Sequence, residues 1–104
     1  MLERALQVIR DTLRRHDVRV IQCILFGSRA RGDFQPDSDW DIFVLVDRDL
    51  AFPEQQRLVT EIRRTLARLR IPNDVVIRSE AQFNALKDSP GVLCYDVARE
   101  GMPV

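Results

Sequence analysis

Leu2, Leu6, Ile9 and Leu13 recur at the spacing of one helix face, so residues 2–16 are expected to form a helix with that face packed on a sheet. The pattern then changes: Val18 to Phe26 is mostly apolar and rich in β-branched residues, which predicts a strand buried on at least part of both faces. Gly27-Ser28 ends that run, and Ser28 through Arg31 reads as a short helix. A second buried strand is expected over Ile42-Phe43-Val44-Leu45-Val46, headed by Asp39-Trp40-Asp41. Pro53 starts a second long helix whose inner stripe is Leu58, Ile62, Leu66 and Leu69. Ile71 to Ile77 reads as a third strand after a Pro-Asn turn. Ser79-Glu80-Ala81-Gln82 has the capping-box pattern, predicting a helix that turns Phe83 and Leu86 inward. Ser89-Pro90 marks the start of a last helix and Gly101 its stop. The expected order is helix, strand, short helix, strand, helix, strand, helix, helix. That alternation implies an α/β (α+β) domain with helices packed on a small mixed β-sheet, and 104 residues without repeat or linker fit a single domain, 1–104.

Candidate chemistry lies where the first two strands end and begin. On a regular strand, Asp39 and Asp41 share one face about 7 Å apart, so two carboxylates can converge on one ion, while Trp40 points into the core under the helices. Mg²⁺ takes oxygen ligands, keeps several waters, and is commonly held by one or two carboxylates completed by substrate phosphate oxygens. Gly27 lets the backbone turn or approach a ligand closely, and a helix opening at Ser28 would turn free N–H groups toward an anion. Arg29 and Arg31 flank that turn, where one guanidinium could offset phosphate charge; which of them points inward is not readable. Asp74 opens the third strand and supplies a third carboxylate, as general base or second-metal ligand. Asp33 and Asp37 read as solvated turn residues.

Charge and cysteines narrow the classes. Sixteen basic and sixteen acidic residues give zero formal charge, so no bulk attraction draws a nucleic-acid backbone, and no direct nucleic-acid partner is expected. Arg57, Arg63, Arg64, Arg68 and Arg70 read as a solvated helix face, or as a surface for an acidic partner. Cys23 and Cys94 lack metal-ligand spacing and read as free thiols of a reducing compartment. His16 is expected to cap the first helix, and Tyr95 to be half-buried or part of a partner surface. No apolar stretch reaches the length of a membrane span, so a cytoplasmic location is expected. An exposed apolar face would suit a homo-oligomer or a partner complex, and periodicity does not separate the two.

Gly27-Ser28, ten residues, then Asp39-x-Asp41, with Arg29-Ala30-Arg31-Gly32-Asp33 between them, resembles the signature of the DNA polymerase β-type nucleotidyltransferases, specifically their minimal nucleotidyltransferase branch. The resemblance covers nearly the whole chain. It implies the polymerase β-like nucleotidyltransferase fold, Mg²⁺ as cofactor and ATP as nucleotide donor. Gly27, Ser28 and Arg31 would hold the nucleotide, and Asp39, Asp41 and Asp74 would be the metal-binding and catalytic carboxylates. It further implies a partner, a HEPN-domain ribonuclease toxin, for which such proteins act as antitoxin; some transfer AMP from ATP onto a tyrosine of that toxin. Two other readings stand beside this one: a non-catalytic antitoxin that neutralises the toxin by complex formation, and a nucleotidyltransferase for a small molecule.

Overall fold

The computed structural model describes residues 1–104 and builds one sheet from the three expected strands and a short fourth. The elements are α1 (Leu2–Arg15), β1 (Val20–Phe26), α2 (Ser28–Arg31), β2 (Trp40–Val46), α3 (Phe52–Arg68), β3 (Asn73–Ser79), α4 (Glu80–Leu86), α5 (Leu93–Glu100) and β4 (Met102–Pro103). Their order in the sheet is β3-β2-β1-β4. β1 runs antiparallel to β2 and β4, whereas β2 and β3 are parallel, joined by the crossover that a parallel pair requires, here α3.

Strand alternation divides the core in two. Cys23, Ile42, Val44, Val46, Val75 and Ile77 face α1 and α3, where they meet Ala5, Ile9, Leu13, Leu58, Ile62 and Leu66 in a cluster of 14 buried residues. Ile24, Phe43 and Leu45 face the other way, onto Cys94 and Val97 of α5, in a cluster of 5 with Phe83 packed at its margin. β2 is buried over Ile42–Val46 because it lies inside the sheet with a layer on each face. β3 alternates buried and half-buried along its length.

Several boundaries differ from the sequence reading, each for a local reason. Leu69 is 36% exposed: the helix stops at Arg68, Arg70 turns the chain at φ 60°, and Ile71 takes the buried place that Leu69 was expected to fill. Leu86 is 41% exposed, and of the two α4 residues expected inward only Phe83 packs against the smaller cluster. The last helix starts at Leu93 rather than at Ser89-Pro90, since Gly91 at φ 92° and extended Val92 intervene. β4 was not anticipated; two residues carry no periodicity, and the strand exists only by pairing with Ile24 and Leu25. The capping box at Ser79 is formed as expected, both reciprocal bonds with Gln82 being 3.0 Å, and the Ser79 hydroxyl also bonds Asp49.

Candidate active site

Sheet register, rather than sequence proximity, brings the acids together. Asp41 pairs with Phe26 on its antiparallel side and with Asp74 on its parallel side, so both aspartates lie at one end of the sheet on the face opposite α1 and α3. Asp39 lies one residue before β2, exposed, and Trp40 packs against the larger core as expected for a residue pointing the other way. The burial of Asp41, then the Asp74 and Asp39 carboxylates, push the Asp41 carboxyl above the ordinary carboxylate range, and Arg31 pulls it partly back. That coupling records three negative charges held near one another.

Gly27 is the hinge between this acid end and the turn. Its backbone, φ 72° and ψ −155°, is in a region essentially confined to glycine, and a Cβ built there would fall onto Asp41 Oδ2. The missing side chain is therefore the space in which the Asp41 carboxylate sits. α2 follows at once, its Ala30 and Arg31 amides both donating to Gly27 O at 3.1 Å, which leaves Ser28 and Arg29 as the leading amides of the turn.

The two arginines of α2 have separate tasks. Arg29 is turned into the 32–39 loop, donating to Ser38 O at 3.0 and 3.2 Å and to Pro36 O at 3.1 Å, with its guanidinium 4.0 Å over the Trp40 ring and 4.7 Å over Phe34. It holds the loop that delivers Asp39. Trp40 Nε1 is buried without a hydrogen-bond partner, so stacking rather than hydrogen bonding retains this indole. Arg31 is the arginine on the acid side: it lies 3.4 Å from Asp33 and 3.8 Å from Glu100, and its charge is felt at Asp41. A cavity of about 340 Å³ opens beside it, lined by Phe26, Gly27, Arg31, Leu93, Asp96 and Glu100.

Arg63 is a site-edge residue that the sequence reading assigned to a solvated face. From α3 it donates to Asn73 Oδ1 at 3.3 Å and Asn73 O at 3.1 Å, and its Nη1 lies 3.8 Å from Asp74 Oδ1. Buried Asn73 donates in turn to Ile71 O at 3.0 Å, so the turn into β3 is pinned directly before Asp74. Nothing in the helical pattern distinguishes Arg63 from Arg64; only the docking of α3 on β3, which sets Arg63 against Asn73, does.

The chain matches the family described as polymerase beta, nucleotidyltransferase, over residues 7–104. It belongs to the polymerase beta nucleotidyltransferase family. Among solved structures, a toxin–antitoxin crystallised with AMP-PNP is similar to this nucleotidyltransferase with a TM-score of 0.60 and 26% identity, over 93% of this chain and 69% of the other. The MntA–HepT toxin–antitoxin pair aligns with a TM-score of 0.56 and 22% identity, over 99% of this chain and 70% of that one, and at that identity the likeness shows the fold. A search of curated proteins finds no significant match.

The residues present fit a hard divalent ion. The donor set is all oxygen, Asp41 sits in a space only glycine leaves open, and the carboxylates repel one another more than Arg31 offsets. No group of three or more acidic, imidazole or thiol side chains of this nucleotidyltransferase is placed to hold a metal ion by itself. A cation here would therefore draw part of its coordination from water and substrate phosphate, the form Mg²⁺ usually takes.

Proposed function

We propose that this nucleotidyltransferase is a Mg²⁺-dependent protein adenylyltransferase that moves AMP from ATP to a tyrosine hydroxyl of a HEPN-type ribonuclease toxin, and so serves as the antitoxin of the pair. The observation that carries this reading is the Asp41 carboxylate seated directly against Gly27, with Asp74 beside it in register. An acid pair so placed adjoins the turn on which the triphosphate would lie. The likeness to a toxin–antitoxin bound to AMP-PNP supports both the nucleotide and the class of partner.

In this reading Asp39, Asp41 and Asp74 would hold the cation together with water and substrate phosphate, and the cation would supply charge neutralisation on the phosphate oxygens. Gly27 and the leading amides of α2 receive the departing pyrophosphate, and Arg31 adds a guanidinium on the same side. Asp74 takes the proton from the attacking hydroxyl. The bond formed joins the acceptor oxygen to the α-phosphorus, and the bond broken is that to the bridging oxygen of pyrophosphate. No helix is long and apolar enough to cross a membrane, and in this reading the chain meets its partner in the cytoplasm.

The test is to incubate the purified chain with Mg²⁺, α-labelled ATP and the protein encoded beside it, then follow the partner's mass. Addition of AMP that is lost by about 10³-fold in Asp39→Asn/Asp41→Asn is the expected result. A stable complex with no transfer would instead make this a toxin-covering antitoxin. Transfer to a small hydroxyl compound, with no complex, would make it a small-molecule enzyme.

A further inference from the structure

On α3, Arg57, Glu61, Arg64 and Arg68 succeed one another at helical spacing and form one outward stripe. With Gln56 and Thr60 they line a shallow trough of about 530 Å³ that contains no apolar side chain. The single acid in it, Glu61, is already engaged by Arg15 at 3.2 Å and His16 at 3.4 Å. Arg57, Arg64 and Arg68 have no ion-pair partner; Arg68 makes only a 3.4 Å bond to the Thr65 hydroxyl. Three uncompensated guanidiniums therefore stand in line on one helix.

We propose that this stripe binds the phosphodiester backbone of a nucleic-acid strand. Guanidinium groups fork onto phosphate oxygens, and hydroxyl and amide side chains such as Thr60 and Gln56 are common additional donors to them. The composition of the trough argues against the other polyanionic partners. Protein interfaces centre on Trp, Tyr and Arg anchors seated in well-packed, desolvated pockets, and a membrane-surface helix needs an apolar face to insert; this shallow trough without an apolar side chain offers neither. Zero net charge removes bulk attraction, but charge here is segregated: α1 and α3 each carry four arginines against two acids, while the aspartates of the catalytic end lie across the sheet. Local potential, not total charge, governs such an encounter. The stripe offers guanidinium, hydroxyl and amide donors to phosphate oxygens and no aromatic platform on which bases could stack, so binding is independent of sequence. α3 covers the sheet face opposite the carboxylates, which makes this site separable from the transfer reaction.

The experiment is fluorescence anisotropy of the intact chain with a labelled single-stranded RNA of mixed sequence, read across a salt series. Three neutralised phosphates give an expected slope of about −2 in log affinity against log salt, or about a twentyfold loss between about 50 and 200 mM. Arg57→Gln/Arg64→Gln/Arg68→Gln should weaken binding at least about tenfold and flatten that slope. Asp39→Asn/Asp41→Asn should leave RNA binding undiminished. Absence of binding at the lowest salt, or equal binding by the triple variant, overturns the proposal. So does tighter binding of a poly-glutamate peptide, which would assign the stripe to an acidic protein, or of anionic vesicles, which would assign it to a membrane.

Discussion

The sheet face beneath α1 and α3 supports a 14-residue buried cluster drawn from two long helices and three strands, whereas the face beneath α4 and α5 supports only 5. Asp41 and Asp74 lie at the end of the thinly covered face. Burial of large aliphatic side chains contributes most to stability, so the first face holds the fold together. The second leaves room for carboxylates, a glycine turn and a cavity. Asp41 occupies on β2 the same side as Phe43 and Leu45, so one strand contributes core and chemistry on a single face, divided only by position along it.

Truncating a side chain on each face puts this difference to the test. Ile62→Ala removes a fully buried side chain from the larger cluster and should cost about 2–5 kcal/mol, read by denaturant unfolding. Val97→Ala on the smaller cluster should cost about 1.5 kcal/mol, at about 0.8 kcal/mol for each methyl-sized group. A loss from Val97→Ala as large as that from Ile62→Ala, with one carbon fewer removed, would mean that the smaller layer contributes more per buried group and that the division drawn here is wrong.

Gly27→Ala strikes where turn and carboxylate meet. It places a methyl group on the Asp41 carboxylate and forces a non-glycine residue into a glycine-only backbone region, at a cost of about 1–3 kcal/mol. Because Asp41 must move, transfer activity should fall far more than stability does. An alanine variant that unfolds earlier but transfers nucleotide at the wild-type rate would show that Asp41 need not sit against the turn.

Arg63 divides the α3 arginines. Arg63→Ala frees the turn before Asp74 and should reduce transfer by about 10- to 100-fold, the effect expected of losing a residue that orients the proposed metal-binding Asp74. Arg64→Ala, one position on, should change it little. A steady-state comparison of the pair checks this, and equal behaviour would return Arg63 to the solvated face.

These residues also show what could be read from the chain. Helices α1 and α3, the three main strands, the Ser79 cap and the Gly27-Ser28 turn follow from periodicity and turn chemistry, which act within a few residues. The pairing of Asp41 with Asp74 does not, because it depends on parallel register across a crossover. Arg29 and Arg31 looked equivalent in sequence; the loop carbonyls they meet, or do not meet, separate them. Arg63 and β4 were missed for a related reason: each acquires its role from a partner distant in sequence.

The smallest expected effect concerns the charge held at the carboxylate end of the sheet. The Asp41 carboxyl is raised above its ordinary value by burial and by Asp74 and Asp39, so near the carboxylate range the folded chain binds a proton more tightly than the unfolded one. Stability therefore falls as pH rises from the ordinary aspartate value through the raised one, and the loss persists at neutral pH. Asp41→Asn removes that loss and should raise Tm at neutral pH without metal. At pH 3, where the wild-type carboxyl is also protonated, the two proteins should melt nearly together. Mg²⁺ should reverse the order at neutral pH, because an ion bound by the folded state stabilises only the chain that keeps the carboxylate. A wild-type Tm that ignores Mg²⁺, or an Asn variant no more stable than wild type without it, would show that these acids neither strain the fold nor wait for a cation.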